Sequence, residues 1–331
     1  MPERRNDPIT IGEMTVPPGR KMKIELPVAR MPTGSLASLP IAVINGRTSG
    51  PVVWVSGGVH GDEVNGVEVV RRVMRSLDAK NLRGAVIAVP IANPLGFLMR
   101  SRYLPDRRDL NRSFPGSARG STASRLAHLF MTEVVSHCSV GIDCHTASND
   151  RTNIPQIRAD VDDAETLKLA RAFGAPFTIK SRLRDGSMRQ AATELGIKML
   201  LFEAGQADRV DDEAVRFGVD GVLRTLRSMK MVDMRLPRPA PTRLVRRTQW
   251  VRARRGGLAE IDVGLGDRVS TGEVVAQISD AFGVRPTQVK SPRSGWVIAR
   301  TLNPLVNPGD ALLHIATEHG PERDEPAERR R

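Results

Sequence analysis

The chain has few aromatic residues and almost no cysteine. Of its 331 residues, 4% are aromatic, one is a tyrosine and two are cysteines, Cys138 and Cys144. Two cysteines so spaced exclude a disulfide framework and a CxxC metal or redox site. The net charge of +13 would suit nucleic acid, but the basic residues are spread along the chain and no base-stacking motif is present. We therefore predict no nucleic-acid partner, and the charge fits attraction of small anionic substrates.

Long hydrophobic runs are also missing. No segment approaches the roughly 20 apolar residues that a membrane-spanning helix requires, and the first residues lack the apolar stretch of a secretory signal. We therefore expect a cytoplasmic protein with no membrane partner. The hydrophobic share of 40% is ordinary for a globular protein, and a length of 331 residues favours two domains over one.

Short apolar segments alternate with amphipathic segments through most of the chain. The spacing of apolar residues predicts helices after Glu63, around 126–134, over 164–173, ending near 196 and over 215–226. Apolar runs predict strands at 23–28, 40–44, 52–55, 85–92, 140–144, 177–179 and 197–202. This alternation predicts an α/β fold with a mixed, mostly parallel sheet and helices on both faces. The polar, proline-bearing residues 1–20 predict a loose arm.

Four side chains with metal or acid–base chemistry follow predicted strands. Residues 57–63 read Gly-Gly-Val-His-Gly-Asp-Glu and place His60 and Glu63 three apart, where a helix would begin. That spacing can supply two ligands of a catalytic zinc, although an acidic helix N-terminus explains it as well. His145 and Glu203 would each lie just beyond the carboxyl end of another strand. Ligands bind at that edge of open α/β sheets, so a site is predicted there.

A loop rich in arginine, residues 102–116, lies between the predicted strands and helices. Guanidinium groups in such a loop can neutralise an oxyanion or hold a substrate carboxylate through two hydrogen bonds. Arg182 and Arg184, on a later loop, are further candidates for a carboxylate contact, with solvated surface arginines as the alternative. Asp62 lies between His60 and Glu63, and Asp143 lies two residues before His145, so both are candidates to orient these side chains. Asp109 is a third candidate for that role.

The combined motifs resemble the succinylglutamate desuccinylase/aspartoacylase family, a branch of the zinc carboxypeptidase-like fold. The matching residues are 58–63, Arg102 with 109–112, 143–146 and 203–205, in the expected order. The resemblance covers about residues 40–230.

The resemblance implies a role for each matching residue. One zinc ion per chain would be held by His60, Glu63 and His145. Glu203 would act as general base and then as general acid. Arg102 would polarise the scissile carbonyl, with Arg100, Arg107 and Arg108 as alternatives for that role. Asn111 and Arg112 would hold a substrate carboxylate.

The function implied is a zinc-dependent deacylase that cleaves the amide of an N-acyl amino acid or a related small anionic metabolite. A metallocarboxypeptidase acting on short peptides is the alternative that uses the same site, and a non-catalytic binding protein is a more distant one. Tyr103 is the only tyrosine, so the late substrate-binding tyrosine of aspartoacylase is absent. Assembly into a homo-oligomer stays open.

Composition changes near the end of the chain predict further domains. Residues 1–235 would form the catalytic domain, and the proline- and arginine-rich residues 236–248 a linker. Residues 249–317 contain two similar glycine-turn units and resemble a biotinyl/lipoyl-like barrel-sandwich domain. The turn at 279–285 has no lysine, which argues against a carrier role. The charged residues 318–331 predict a disordered tail.

Overall fold

The computed structural model describes residues 4–148, 150–284 and 286–317. The chain divides into two compact units, Met1–Arg243 and Leu244–Arg331. The tail predicted at 318–331 lies outside the described residues. In the part of the chain that the structure covers, no helix has both the length and the apolar character needed to cross a membrane.

The first unit alternates strands and helices, as the apolar pattern predicts. Its strands are β1 (Ile9–Ile11), β2 (Met14–Val16), β3 (Arg20–Arg30), β4 (Leu36–Asn45), β5 (Thr48–Gly57), β6 (Arg83–Val89), β7 (Val140–Ala147), β8 (Arg151–Ala159), β9 (Phe177–Lys180) and β10 (Lys198–Gln206). Its helices are α1 (Val64–Ser76), α2 (Pro94–Leu98), α3 (Thr122–Glu133), α4 (Ala164–Phe173), α5 (Met188–Glu194) and α6 (Asp212–Ser228). Two short 3₁₀ turns lie at Leu110–Arg112 and Val135–His137.

The main sheet of this unit has the strand order β9-β8-β10-β7-β5-β6-β4-β3. Strands β6, β5, β7 and β10 run parallel at its centre. Strand β8 runs antiparallel to β10, and the β3–β4 hairpin joins β6 in antiparallel fashion. The mixed, mostly parallel sheet is therefore confirmed. Antiparallel pairs occur toward both ends.

Helices cover both faces of the sheet. Trp54 of β5 packs in a buried cluster with side chains of α2, α3 and α5, including Leu95, Phe130 and Met188. Its neighbours Val53 and Val55 pack in a second cluster with α1, α4 and α6, including Val70, Phe173 and Val222. Because adjacent strand residues point to opposite faces, one strand contributes to both cores. The predicted three-layer arrangement is confirmed.

Two local predictions for this unit are wrong. In the segment predicted as a loose arm, residues 1–20, the described residues from 4 onward contain the antiparallel pair β1–β2. Ile11 and Val16 are fully buried, so this described part is not a loose arm. Strand β8 has no counterpart among the predicted strands. Its sequence mixes polar with apolar residues and contains Pro155, which hides the strand pattern.

Both cysteine thiols lie within the buried core of the first unit. Cys144 belongs to β7, and Cys138 lies just before it. Burial raises the pKa of each thiol well above its ordinary value. Neither thiol is therefore a nucleophile in the folded protein.

The second unit is all-β over its described residues. After β11 (Arg243–Val245), which crosses the division, its strands are β12 (Thr248–Arg252), β13 (Gly257–Ile261), β14 (Arg268–Val269), β15 (Val274–Ser279), β16 (Thr287–Lys290), β17 (Gly295–Thr301), β18 (Leu305–Val306) and β19 (Ala311–Thr317). One sheet joins β12, β19, β17 and β14, and the other has the order β16-β15-β13-β18. A shared core fills the unit and includes Val251, Val275, Ile278, Leu312 and Ile315.

Candidate metal centre

The loop between β5 and α1 carries the first two predicted ligands. Strand β5 ends at Gly57, Gly58 turns the backbone at a φ of 60°, and α1 begins at Val64. Glycine adopts this left-handed conformation without steric cost. His60 and Glu63 are 3% and 2% exposed, and His60 Nδ1 lies 2.7 Å from Glu63 Oε1. The two side chains therefore meet at one point, as their spacing predicts.

The third predicted ligand, His145, comes from β7. Its Nδ1 lies 2.7 Å from Glu63 Oε2, and the Thr146 backbone N–H donates to the same oxygen at 3.1 Å. One ligand atom from each of His60, Glu63 and His145 lies within 4.8 Å of the other two. Two imidazoles and one carboxylate are a known ligand set of catalytic zinc sites. The donor types and their separation fit a zinc ion.

The outer nitrogen of each imidazole faces a carboxylate. His145 Nε2 lies 2.7 Å from Asp143 Oδ2, and the Ser56 hydroxyl donates to Asp143 Oδ1 at 2.7 Å. His60 Nε2 lies 3.3 Å from Asp109 Oδ1. Such contacts orient histidine ligands in metal sites. The orienting role predicted for Asp109 and Asp143 thus has a structural basis, whereas Asp62 makes no hydrogen bond to either imidazole among the described residues.

Electrostatics in the cluster favour a cation. Burial would lower the pKa of the His60 imidazole, but Glu63 and Asp109 raise that pKa above its ordinary value. Burial would likewise lower the pKa of His145, but the carboxylates of Asp143 and Glu63 raise that pKa well above its ordinary value. Burial raises the pKa of Glu63, yet the two imidazoles hold that pKa well below its ordinary value. The carboxylates therefore favour positive charge here, which protons or a metal ion can supply.

Arg102 is the arginine of the 102–116 loop that reaches the cluster. Its Nε and Nη2 donate to Asp109 Oδ2 at 3.1 and 2.8 Å. Its Nη1 lies 3.3 Å from His60 Nδ1 and 3.7 Å from Glu63 Oε1. The alternatives to Arg102 are exposed and have no such contact among the described residues, namely Arg100, Arg107 and Arg108.

Glu203 lies beside His145 in the sheet. The two residues are register partners in the parallel strands β10 and β7. The prediction that both lie beyond their strands is wrong, because strand pairing continues through Ala147 and Gln206. The Glu203 side chain is 16% exposed. Burial raises the pKa of its carboxyl group above the ordinary value, although Arg158 acts in the opposite direction.

The two residues predicted to hold a substrate carboxylate, Asn111 and Arg112, differ in their exposure to solvent. Asn111 is 8% exposed, and its side-chain oxygen accepts a hydrogen bond from the Met188 backbone at the start of α5. Arg112 is exposed and donates to the Asn111 backbone oxygen. Partial burial and the nearby Arg112, Arg158 and Arg102 lower the pKa of Arg184, so several guanidinium groups share this region.

Sequence reasoning missed two residues next to Glu203. Both lie on β8, the strand absent from the predictions. The Asn153 side-chain amide donates to Glu203 Oε2 at 2.8 Å, and Arg158 Nε lies 3.5 Å from Glu203 Oε1. The sequence carried little signal for this strand, because Asn153 and Gln156 are three residues apart with Pro155 between them, which breaks the period of two that marks a strand.

Comparisons with known proteins identify a family. Residues 49–229 match the family model described as the succinylglutamate desuccinylase/aspartoacylase catalytic domain. The chain is also similar to the N-alpha-acetyl-L-2,4-diaminobutyric acid deacetylase of Halomonas elongata. Identity is 31% over 292 residues, which cover 84% of this chain and 85% of the relative.

Solved structures share the fold over nearly the whole chain. A succinylglutamate desuccinylase/aspartoacylase from Rhodobacter sphaeroides superposes with a TM-score of 0.82 and 30% identity, covering 91% of this chain and 96% of that one. The product-bound ectoine utilization protein EutE (DoeB) from Ruegeria pomeroyi gives a TM-score of 0.83 at 23% identity, covering 95% and 100%. At that identity, the second likeness supports the fold alone.

Proposed function

Because this chain belongs to the succinylglutamate desuccinylase/aspartoacylase family, we propose that it is a zinc-dependent amidohydrolase acting on an N-acyl amino acid or a related small anionic metabolite. The observation that carries the proposal is the buried group of His60, Glu63 and His145 beside Glu203. It combines a zinc ligand set with an adjacent general base, the two parts that metal-assisted amide hydrolysis requires.

His60, Glu63 and His145 would hold the zinc ion. A zinc ion so held would lower the pKa of a bound water to about 7 and polarise a carbonyl oxygen. Asp109 and Asp143 would keep the two imidazoles in the orientation that the ion requires, through the contacts at 3.3 and 2.7 Å. We propose one ion per chain.

Glu203 would move the proton in the reaction. Its carboxylate accepts a proton from the attacking water as the oxygen bonds to the acyl carbon. The same proton then passes to the amide nitrogen as the C–N bond breaks, which releases a carboxylic acid and an amine. The raised pKa of the Glu203 carboxyl group makes it a better proton acceptor than an ordinary glutamate.

Arg102 would stabilise the charge that develops on the carbonyl oxygen. Asp109 holds its guanidinium group at the edge of the cluster, so the position of this group needs little reorganisation during the reaction. Removal of one such donor typically reduces kcat by about 10²–10³-fold.

The cationic surroundings support an anionic substrate. Arg112 is exposed, and its charge, with those of Arg158 and Arg184, affects the same region. A guanidinium group binds a carboxylate through two parallel hydrogen bonds. The carboxylate of an N-acyl amino acid could therefore bind near Arg112, and the name of the Halomonas relative makes N-acetyl amino acids the first substrates to examine.

The test is zinc content together with hydrolysis of N-acetyl, N-succinyl and N-formyl amino acids, for wild type and Glu203→Gln. We expect about one zinc per chain in both proteins and a loss of kcat of about 10²–10⁴-fold in the variant, the usual contribution of a general base. Glu165→Gln, at an exposed position on α4, is the matched control and should keep full activity.

Three results would contradict the proposal: an active Glu203→Gln enzyme, a wild type without metal, or a wild type that hydrolyses none of these amides. Short peptides with a free carboxyl end belong in the same panel. Better hydrolysis of peptides than of N-acyl amino acids would favour a carboxypeptidase.

A further inference from the structure

We propose that Asn153 is a positioning residue, which fixes the Glu203 carboxylate in one orientation and leaves Oε1 as the oxygen that receives the proton. This inference rests on the proposed function of Glu203 as general base. It assigns different tasks to the two oxygens of that carboxylate and gives strand β8 a role in the reaction.

The contact between Asn153 and Glu203 is short and shielded from solvent. The amide nitrogen Nδ2 donates to Glu203 Oε2 at 2.8 Å, and Asn153 is 6% exposed. The register between β10 and β8 shifts between Glu203 and Gly205. After this shift, the register partner of Asn153 is Gly205, near the end of β10. From this position the Asn153 side chain reaches the Glu203 carboxylate.

The second oxygen of Glu203 has no hydrogen-bond donor among the described residues. Its near neighbour is Arg158 Nε at 3.5 Å, which is longer than a normal N–H···O bond of about 2.7–3.2 Å. Oε1 can therefore accept a proton from a water molecule while Oε2 stays bonded to Asn153.

A neutral amide suits this task better than a charged donor. The terminal torsion of a glutamate side chain is broad, so the carboxylate rotates unless a contact holds it. A lysine or arginine donating at 2.8 Å would hold it, but would also favour the ionised form and weaken the base. Asn153 restrains the carboxylate and adds no positive charge.

The consequence for the reaction is one path for the proton. As the attacking water forms its bond to the acyl carbon, one of its O–H bonds breaks and the proton goes to Oε1. From Oε1 it goes to the leaving nitrogen as the C–N bond breaks. A carboxylate that rotates between these transfers would present the wrong oxygen, and kcat would fall while substrate binding stayed the same.

The experiment replaces Asn153 with leucine, which has a similar shape and no donor. We expect Asn153→Leu to lose about 10- to 100-fold in kcat, with KM within about two-fold of wild type, as for loss of one hydrogen bond to a charged group. Zinc content should not change. Thr152→Val, at the neighbouring half-buried position on β8, is the matched control and should keep the kcat of wild type.

Two kinetic results would overturn the inference: a kcat of Asn153→Leu within about two-fold of wild type, or a rise in KM at constant kcat. A crystal structure of zinc-loaded Asn153→Leu supplies a readout independent of activity. The Glu203 carboxylate should be rotated or present in two orientations, and the wild-type orientation alone would overturn the inference. If wild type hydrolyses none of the panel, the proposed function fails, and this structure still decides whether Asn153 positions Glu203.

Discussion

Glu63 contacts both of the other proposed ligands. Its two oxygens meet both imidazoles at 2.7 Å, and one of them also accepts the Thr146 backbone N–H. A carboxylate that bridges two histidines in this way favours their protonated forms when no metal is bound. The stability of the protein without zinc should therefore depend on pH in a way that the stability of the zinc-loaded protein does not.

This difference can be measured as thermal stability after zinc is removed by a chelator. The raised pKa values of His60 and His145 stabilise the metal-free fold fully below their unfolded value of about 6.5. That stability is lost as pH rises through the raised folded values. The low pKa of Glu63 acts only at much more acidic pH, so it does not change the direction here.

We expect the Tm of metal-free protein to fall by several degrees between pH 6 and pH 9, since about 1 kcal/mol corresponds to roughly 2–4 °C for domains of about 150–250 residues. Zinc-loaded protein should not show this fall, because metal binding requires unprotonated imidazoles. Scanning calorimetry of both forms checks the prediction. Equal pH dependence of both forms would mean that the imidazoles are not the metal ligands.

At the scale of elements, the close packing of α1 on β7 brings Glu63 to His145. A Cβ atom built on Gly66 of α1 would lie 2.2 Å from the Cys144 backbone oxygen, which no real structure tolerates. Any side chain at this position must push the helix away from the strand. The proposed ligand group therefore depends on a glycine that contributes no ligand atom.

Gly66→Ala should reduce both stability and zinc affinity. We expect a loss of about 1–3 kcal/mol in the free energy of unfolding, as for overpacking in a core, and weaker zinc binding because Glu63 moves with α1. Denaturant unfolding and zinc titration measure the two effects. Gly256→Ala is the matched control, since its Cβ would meet no atom closer than 3.4 Å. A Gly66→Ala protein with wild-type stability and zinc affinity would contradict this view of the packing.

Elements whose signals are local follow closely from the sequence. The apolar period predicts α4 at 164–173, and the structure ends the helix there because Asp163 caps its start and Gly174 adopts a left-handed conformation at its end. Strands β5, β6 and β7 follow from apolar runs buried on both faces. These features require no knowledge of distant residues.

Elements that depend on distant partners do not follow from the sequence. Strand β8 exists because it pairs with β10 and β9, and its own composition resembles a loop. The ends of β7 and β10 are likewise set by their pairing with each other. Motif reasoning finds the ligands His60, Glu63 and His145. It does not find Asn153, because this residue belongs to no recognised motif and its contact with Glu203 depends on the pairing of β8 with β10.

At the scale of the whole molecule, the net charge of +13 adds a long-range attraction for anions. Such attraction raises the rate of encounter with an anionic substrate and weakens as salt screens it. We expect kcat/KM for an anionic N-acyl amino acid to fall several-fold between ~20 mM and ~300 mM salt, where the Debye length shrinks from roughly 20 Å to 6 Å.

The control for this prediction is the corresponding uncharged N-acyl amino acid amide. Its kcat/KM should change little over the same range, because only the charged substrate feels the long-range field. Steady-state kinetics with both compounds at several salt concentrations decides the matter. A parallel fall for both compounds would indicate an effect of salt on the protein rather than on attraction of the substrate.

Because Cys144 is buried, its reactivity can report local opening of the central sheet. This thiol precedes His145 on β7 at the centre of the sheet, and burial keeps it unreactive in the native state. An alkylating reagent can modify it only in molecules whose sheet has transiently opened. The rate of Cys144 alkylation thus measures how often the strand that carries His145 opens. A ligand that holds this strand in place would lower that rate.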